Sequence, residues 1–289
     1  MRYIFIINKY STNDIEFIYN QICYVCQSLG INYVIELNQL NNPTEDILKK
    51  YQDTENIIMA VGGDGMINRV VNGIANTNNI LGYIPYGTGN DFHKSVIETI
   101  TDEITPIDLI KINEKYFVNI ACFGIDADIA NDDEIIHNKL IPKSQRYNAS
   151  VIYHFLKYQG RNLKIYIDDK TLEEQLTTLV IANARYYGGG YKVGTNSIMN
   201  DGLMEVYLVK MLPKLRMAKS ILGMKDGKHE KLKEVTKIST TNLTIESDIP
   251  IKSNIDGEIL EADSFNINLI HNGIKLYNDQ ELIKKILKK

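Results

Sequence analysis

Cysteine is scarce in this sequence, and long apolar segments are absent from it. The 289 residues include three cysteines, Cys23, Cys26 and Cys122. An odd and sparse set of this kind is typical of a reducing cytoplasm and not of a disulfide-bonded secreted domain. The apolar runs are short and interrupted by charged residues, so no transmembrane helix is predicted. The run after Arg2 is too short for a signal peptide and precedes no small-residue cleavage site, so we expect a first β-strand there.

Basic residues do not outnumber acidic residues in this sequence, and this excludes one class of binding partner. The formal net charge is −4, and this argues against a general nucleic-acid-binding protein. The hydrophobic fraction of 44% is ordinary for a globular protein, and the chain is long enough for two domains. Cys23 and Cys26 form a C-x-x-C pair, but they lie in a helical apolar pattern that favours core packing over a redox or metal site.

Residues 56–68 predict a strand, a glycine turn and a helix. The apolar run 57–61 is followed at once by Gly-Gly-Asp-Gly at 62–65, and residues 66–75 have the apolar spacing of a helix. Glycine lets the backbone approach a ligand closely, and a helix N-terminus favours an anion such as phosphate. Asp64 would repel a bare phosphate, which suggests a divalent cation or a hydroxyl group that must be held. The turn is neither a P-loop nor G-x-G-x-x-G, and alone it is equally compatible with a plain turn.

A second glycine turn follows the next apolar run, in residues 80–92. Gly87, Thr88 and Gly89 form the turn, and Asn90 or Asp91 can cap a helix that starts there. Both turns follow strands that we expect to be parallel, which places them at the same edge of the sheet, where open α/β sheets bind ligands.

The order of the elements predicts two domains. Strands and helices alternate up to about residue 100 in a βαβαβ order, which predicts a doubly wound parallel sheet. Short strands then dominate and predict an antiparallel β-sandwich that contains one helix, at residues 147–158. We therefore expect an N-terminal α/β domain (1–120), a β-sandwich domain (121–271) and a C-terminal segment (272–289) whose helix packs back on the first domain.

The two glycine turns resemble motifs of the diacylglycerol kinase catalytic-domain family. GGDGMIN resembles GGDGTxNE, and GTGNDFH resembles GTxNDxA. The superfamily includes sphingosine and ceramide kinases and, more remotely, NAD kinases, and the closest likeness is to the bacterial soluble lipid kinases. The resemblance implies an NAD-kinase-like first domain, ATP and Mg²⁺ as cofactors, and a lipid substrate taken from a membrane surface by a cytoplasmic, peripherally associated enzyme. It implies no nucleic-acid partner and leaves a homodimer open.

The resemblance also implies a set of nucleotide-binding residues. The family uses an Asn-Pro-x-Ser-Gly turn after strand one, where this chain keeps Asn8 and Ser11 but lacks the proline and glycine, and a residue after strand two, here Asn38. The full implied set is Asn8, Ser11, Asn38, Gly62, Gly63, Asp64, Gly65, Met66, Ile67, Asn68, Arg69, Thr88, Asn90 and Asp91. Two departures stand out, since Met66 replaces a hydroxyl donor and Arg69 replaces the glutamate of the motif. Arg69 is disfavoured by the helix dipole but could reach a phosphate directly.

Residues 183–204 resemble the family segment N-x-R…GGG…DDG. The resemblance implies that Asp201 holds a structural Mg²⁺ together with backbone carbonyls at Ile198 and Leu203, a ligand set suited to a hard cation. A tight turn at Asp201 and Gly202 is the alternative. Asp126 also matches a family position and could orient a metal-bound water or simply cap a turn.

Residues 254–258, NIDGE, resemble the late DGE motif of the family. Kinase chemistry needs one carboxylate to take the proton of the attacking hydroxyl and another to hold Mg²⁺ on the phosphates. Asp256 and Glu258 are candidates for these roles, with Asp64 as a third catalytic candidate. The sequence leaves open which of the pair is the base, and an Asp-Gly hairpin turn would also explain the residues.

Residues 213–237 form a locally basic stretch with interspersed apolar residues. Such a stretch can lie on anionic lipid, or it can be the solvated face of a packed helix. His229 lies within it and is expected to be structural.

Three functions are compatible with these observations. The first is an ATP-dependent lipid kinase acting on diacylglycerol or a related lipid. The second is an NAD kinase, although GTGNDFH fits the lipid branch better. The third is a nucleotide- or lipid-binding protein without catalysis, which Arg69 and the altered Asn8 turn would explain.

Overall fold

The computed structural model describes residues 1–9, 14–87, 89–124, 158–214, 216, 223 and 226–288. In these residues, thirteen strands join in one hydrogen-bonded sheet and two more form a small separate ribbon. The predicted combination of an α/β half and an antiparallel half is confirmed. The division at residue 120 stays a prediction, because the sheet runs through both halves of the described chain.

The first half alternates strands and helices, as the βαβ pattern predicts. Its elements are β1 (Arg2–Asn8), α1 (Ile15–Leu29), β2 (Tyr33–Asn38), α2 (Thr44–Lys49), β3 (Asn56–Gly62), α3 (Asp64–Ile74), β4 (Ile80–Pro85) and α4 (Asp91–Thr99). The four strands are parallel in the order β4-β3-β1-β2. Every residue of β3 is buried, which explains its unbroken apolar sequence. The winding direction reverses between β1 and β3, so a crevice opens where these two strands end.

The second half consists of antiparallel strands. They are β5 (Ile104–Ile112), β6 (Lys115–Phe117), β7 (Ile120–Gly124), β8 (Arg161–Ile167), β9 (Lys170–Ala182), β10 (Tyr186–Tyr187), β11 (Tyr191–Lys192), β12 (Met204–Lys210), β13 (Val235–Thr240), β14 (Asn242–Ile255) and β15 (Glu258–Tyr277). A 3₁₀ helix (Lys228–Lys231) precedes β13, and α5 (Gln280–Leu287) follows β15. The inward faces of these strands form an apolar core separate from that of the first half.

Two sequence predictions need correction in this half. The sequence pattern predicts one strand over residues 235–245, which is wrong, because the chain turns at Thr241 and β13 pairs with β12 while β14 pairs with β15, β7 and β8. The pattern also predicts a separate strand over residues 251–255, but these residues are the end of β14, which continues past an irregularity between Glu246 and Ile251. The predicted helix 147–158 lies outside the described residues except for Tyr158.

Strand β15 connects the two halves. It starts in the antiparallel half beside β14, and its last residues, Leu276 and Tyr277, pair in parallel with β4. Its pairing with β5 shifts between Ile270 and Ile274, where Asn272 adopts a φ of 55°. Helix α5 then buries its apolar face and contacts α1, so the chain returns to the first half as the sequence predicts.

A buried polar network fastens this return. The hydroxyl of Tyr83 in β4 donates to Asn278 Oδ1 at 2.9 Å, accepts from Gln280 Nε2 at 3.0 Å and lies 3.2 Å from His93 Nδ1. Tyr83 is fully buried. The network therefore links β4, α4 and the segment that leads into α5.

We predict that Tyr83→Phe lowers the free energy of unfolding by about 0.5–1.5 kcal/mol, because it removes the hydrogen bonds of a buried hydroxyl while Asn278 Oδ1 and Gln280 Nε2 keep the bond between them. Urea unfolding followed by circular dichroism measures this. Tyr24→Phe is the matched control, since Tyr24 is 71% exposed and should cost almost nothing. Equal stability of the two variants would contradict a role for the Tyr83 hydroxyl.

Candidate active site

The two glycine turns touch each other backbone to backbone. A Cβ atom placed on Gly63 would lie 2.7 Å from the carbonyl oxygen of Gly89, and one on Gly87 would lie 2.5 Å from the N and Cα atoms of Gly63. The amide of Tyr86 also donates to the carbonyl of Gly62 at 3.0 Å. Any side chain at Gly63 or Gly87 would push the turns apart, so glycine is required at both positions for steric reasons.

Asp64 bridges the two turns. Its carboxylate accepts hydrogen bonds from the backbone N–H of Asp91 at 3.1 Å and of Phe92 at 3.0 Å, and so it caps α4. The expected side-chain cap by Asn90 is not made, since Asp64 accepts these N–H groups and the Asn90 amide donates to the carbonyl of Gly87. Burial and the charge of Asp91 raise the pKa of Asp64, while the two N–H donors and the charge of Lys94 lower it, and burial is the largest effect.

Asp91 is held by partners from both halves of the chain. Its carboxylate lies 2.9 Å from Lys94 Nζ and accepts from the backbone N–H of Gly189 at 2.7 Å. The side chain is only 3% exposed. Both oxygens therefore engage protein groups, and Asp91 positions the start of α4 against the triglycine turn at 188–190.

Asp256 and Gly257 form the two-residue turn between β14 and β15. Their φ angles of 48° and 92° are those of a type I′ hairpin turn. The buried Asp256 carboxylate accepts from three consecutive backbone N–H groups, those of Val118 at 3.1 Å, Asn119 at 3.2 Å and Ile120 at 2.7 Å. Asp256 can therefore form a hairpin turn and be a buried functional carboxylate at the same time.

The environment of Asp256 disfavours the ionised form of its side chain. Burial raises the pKa of Asp256 to about 6, against the opposite effect of the three N–H donors. The charge of Asp64 adds to the increase. Two carboxylates that the sequence separates by almost two hundred residues thus lie close enough to influence each other.

Glu258 faces a cleft between the halves. Its side chain is 52% exposed, and Oε1 lies 3.5 Å from Arg69 Nη2. The cleft has a volume of about 330 Å³ and is lined by residues of α2, α3, β6 and the β14–β15 hairpin, with Asn38 at the end of β2. Asn38, Asn68, Arg69 and Glu258, which the sequence predicted as site residues, meet here.

Other predicted nucleotide-binding residues have different environments. The side chains of Met66 and Ile67 are 2% and 3% exposed and pack in the core of the first half. They lie on the apolar face of α3, so a side-chain contact with a nucleotide is not compatible with their burial and only a backbone contact remains. Gly65, in contrast, is exposed, and a Cβ on it would meet no atom within 4 Å. Asn8 ends β1 opposite Asn38.

Three positions singled out in the sequence lie outside the described residues: Ser11, Thr88 and Asp126. Their predicted roles stay predictions.

The predicted metal turn is tied to a buried carboxylate. Asp201 Oδ1 accepts from the backbone N–H of Leu203 at 3.0 Å, as in the tight turn considered above, and the N–H of Gly202 donates to Asp108 Oδ2 at 2.8 Å. Burial and the nearby charge of Asp108 raise the pKa of Asp201. Ile198 and Leu203 are partly exposed, at 41% and 39%. The described residues contain no group of three or more His, Cys, Asp or Glu side chains arranged to hold a metal, but the predicted set has one carboxylate and two carbonyls.

Sequence reasoning missed Asp108. This residue of β5 is fully buried, and its carboxylate also accepts from the N–H of Asn272 at 2.9 Å and lies 2.7 Å from His271 Nδ1. The Asp108 carboxylate therefore joins the turn at Asp201 and Gly202 to the irregular part of β15. An aspartate inside an apolar strand, Ile107-Asp108-Leu109, is the signal that could have identified it, because a buried charge needs partners.

A second missed contact joins α4 to the 185–192 hairpin. The Glu98 carboxylate pairs with Arg185 and Lys192, each at 3.1 Å, and accepts from the Tyr186 hydroxyl. The Ser95 hydroxyl accepts from the N–H groups of Arg185 and Tyr186. This contact lies directly after the second glycine turn and fixes α4 to the antiparallel half.

The described part of the basic stretch is largely paired. Arg216 contacts Glu234 at 2.7 Å, and Lys237 contacts Glu205 at 3.2 Å. His229 is 1% exposed, its Nε2 lies 3.1 Å from the carbonyl of Val193, and burial lowers its pKa, which agrees with a structural role. No helix of the described residues is both long and apolar enough to cross a bilayer.

We predict that the effect of Asp256→Asn on stability depends on pH. Between about pH 4, where an unfolded aspartate titrates, and about pH 6, the folded protein binds more protons than the unfolded chain. The contribution of Asp256 is therefore fully present at low pH and falls as the pH rises, by about 1.4 kcal/mol per unit. The free energy of unfolding of the wild type, relative to Asp256→Asn, should fall by about 1–3 kcal/mol from pH 4 to pH 7.

Urea unfolding at each pH measures this difference. Asp53→Asn changes an exposed aspartate and should follow the wild type throughout. A difference between wild type and Asp256→Asn that stays constant with pH would show that Asp256 titrates like an unfolded aspartate.

Comparison with known families covers nearly the whole chain. Residues 2–118 match the Diacylglycerol kinase catalytic domain. Residues 119–277, more than half of the chain, match the YegS C-terminal NAD kinase beta sandwich-like domain.

Curated relatives and solved structures agree with this match. "Probable lipid kinase YegS-like" from Alcanivorax borkumensis is 26% identical over 236 residues, which are 76% of this chain and 78% of that protein. "Putative lipid kinase" from Staphylococcus aureus strain Newman is 27% identical over 281 residues, 89% of each chain. The structure of "A putative diacylglycerol kinase from Bacillus anthracis str. Sterne" has a TM-score of 0.72 at 19% identity and covers 97% of this chain and 98% of that one, which shows a shared fold. By the match over residues 119–277, this chain belongs to the family of the YegS C-terminal NAD kinase beta sandwich-like domain, with a Diacylglycerol kinase catalytic domain match before it, and the curated relatives it resembles are named as lipid kinases.

Proposed function

We propose that this protein is an ATP- and Mg²⁺-dependent kinase that phosphorylates a hydroxyl group of diacylglycerol or a related lipid. The observation that carries the proposal is the meeting of Arg69 and Glu258 at one cleft between the halves, with Arg69 on the helix that begins at the first glycine turn. In the reaction, the lipid hydroxyl oxygen attacks the γ-phosphorus of ATP, the bond from that phosphorus to the β,γ-bridging oxygen breaks, and ADP leaves. The hydroxyl proton passes to a carboxylate of the protein.

Glu258 is the better candidate for the base. Its carboxylate is half exposed and lines the cleft. Asp256 is 4% exposed, and its oxygens accept three backbone hydrogen bonds, so a lipid hydroxyl cannot reach it without breaking that contact. We assign Glu258 the proton transfer and Asp256 the positioning of the hairpin that carries Glu258.

The phosphates of ATP are assigned to the first glycine turn and the N-terminus of α3. The open space around Gly65 leaves room for a phosphate close to the backbone, and the N–H groups of the first helical turn favour an anion there. Asn38 and Asn68 line the cleft that holds Arg69 and Glu258, but each is only 5% exposed, and the Asn68 amide already bonds to Tyr116 and Asn72. Asp64 contributes by holding the two turns together.

The residues present fit Mg²⁺ at the turn around Asp201. A catalytic Mg²⁺ needs one or two carboxylates beside substrate phosphates and waters. The oxygens of Asp64 and Asp91 engage backbone N–H groups or Lys94, and Glu258 is assigned the proton transfer, so none of these three carboxylates is assigned to that ion. A structural Mg²⁺ at Asp201, with the carbonyls of Ile198 and Leu203, would relieve the repulsion between Asp201 and Asp108. Bound Mg²⁺ would neutralise charge that develops on the transferred phosphoryl group.

The proposal extends to location and assembly. A lipid substrate requires contact with a membrane surface, and we place the protein in the cytoplasm as a peripheral enzyme without a nucleic-acid partner. A homodimer remains a secondary proposal, to be checked by light scattering.

We predict that the protein transfers label from γ-labelled ATP to lipid in mixed micelles with Mg²⁺, and that Glu258→Gln lowers kcat by about 10²–10⁴-fold. Calorimetry should show that this variant still binds ATP. Glu261→Gln is the control, because Glu261 lies on the same strand and is exposed, and it should retain full turnover.

The panel of acceptors separates the alternatives. Diacylglycerol, phosphatidylglycerol, sphingosine and NAD are offered in parallel. Label in NAD alone would replace the proposal with an NAD kinase, and ATP binding without label in any acceptor would indicate a protein without catalysis. Full turnover by Glu258→Gln would refute the assigned base.

We also predict that Mg²⁺ raises the melting temperature of the wild type by a few degrees, at about 2–4 °C per kcal/mol of binding free energy. Asp201→Asn should lose this shift, because it removes the carboxylate ligand. Asp248→Asn changes an exposed surface aspartate and should keep it. A shift of the same size in all three proteins would mean that Mg²⁺ acts elsewhere.

A further inference from the structure

Arg69 stands where the family motif GGDGTxNE has a glutamate, and it lies beside Glu258. The two side chains are 41% and 52% exposed, with 3.5 Å between Arg69 Nη2 and Glu258 Oε1. Arg69 belongs to α3 of the first half, and Glu258 begins β15 in the second. The ion pair therefore crosses the cleft in which the proposed reaction takes place.

The arginine changes the charge balance of this cleft. A glutamate at position 69 would place two carboxylates side by side, and two like charges at this distance favour a cation between them. Arg69 instead supplies a fixed positive charge next to Glu258. The cleft of this chain thus carries its own cation.

Arg69 is also within reach of the proposed phosphate site. It lies five residues after Asp64, the first residue of α3, which is about 7.5 Å along the helix axis. Side chains on a helix lean toward its N-terminus. An extended arginine at this position can therefore turn from Glu258 to an anion bound at the start of α3.

The strengths of the two interactions favour such a turn. An exposed ion pair shifts an equilibrium by about fivefold at most. Charge-assisted hydrogen bonds from an arginine fork to a phosphate are worth about tenfold or more each. A terminal phosphate would therefore outcompete Glu258 for Arg69.

We infer that Arg69 couples ATP binding to release of Glu258. In the empty cleft Arg69 pairs with the proposed base, and in the ATP complex it binds the terminal phosphate, which leaves Glu258 free to accept the proton of the lipid hydroxyl. The inference rests on the proposed function and adds an order to it: ATP binds first, and proton transfer follows.

Isothermal titration calorimetry of ATP in EDTA tests this without Mg²⁺ and without turnover. Arg69→Ala should weaken ATP binding about tenfold. Lys115→Ala is the matched control, because Lys115 lines the same cleft and carries the same charge, and it should weaken ATP less than about threefold. Glu258→Gln should strengthen ATP binding about threefold by freeing Arg69, and most of this gain should vanish when Arg69→Ala is added.

The inference is overturned if Arg69→Ala binds ATP as the wild type does, if Lys115→Ala is equally weak, or if the gain from Glu258→Gln is the same with and without Arg69. Thermal melting of each variant confirms that it is folded, and Arg69→Gln, which keeps the bulk of the side chain, should repeat the loss seen with alanine. Absence of lipid phosphorylation together with the expected calorimetry would remove the proposed function but leave the coupling of Arg69 to Glu258 and ATP intact. Lipid phosphorylation together with unchanged ATP binding in Arg69→Ala would keep the proposed function and remove the coupling.

Discussion

The hydrogen bonds between the Asp256 carboxylate and the backbone of residues 118–120 are the constraint on which the candidate site depends. They fix the β14–β15 turn against the segment where the chain passes from its first half to its second. Strand β15 then leads from this turn to the edge of β4, so the same strand connects the turn to the sheet of the first half. Because the turn is fixed in this way, Glu258, two residues further along the chain, lies in the cleft.

Carboxylates that accept backbone hydrogen bonds also hold the glycine turns together. Asp64 and Asp256 each accept backbone N–H groups from a segment that is distant in sequence, and Asp91 accepts that of Gly189. These acidic residues lie in motifs that suggest metal or phosphate chemistry, yet their oxygens already accept hydrogen bonds from other groups of the protein. The cost of burying them is visible in the raised pKa values of Asp64 and Asp256. Asp64, Asp91 and Asp256 therefore hold the site in shape, which supports our proposal that the accessible chemistry belongs to Glu258 and Arg69.

Local patterns were sufficient to predict much of the fold. The alternation of apolar runs and helical spacing up to α4 reflects burial of parallel strands on both faces, which leaves a strong signal in the sequence. The turn at Thr241 left no such signal, because β13 and β14 have continuous strand-like sequences and separate only through their different partners. Asp108 was missed for a related reason, since its partners Gly202 and His271 are far from it along the chain.

The sequence by itself determined the family, the order of the elements and the residue types that could serve a kinase, because motifs and periodicity are local properties. It left Asp256 and Glu258 indistinguishable as bases, and it could not show that the side chains of Met66 and Ile67 face the core. Only the tertiary structure shows which of these side chains are exposed, since exposure and hydrogen-bond partners depend on which distant segments pack together, and our proposal of Glu258 as the base rests on that difference. The pairing of Arg69 with Glu258 is of the same kind: the two charges are 189 positions apart in the chain and meet only because β15 brings the second half back to the first.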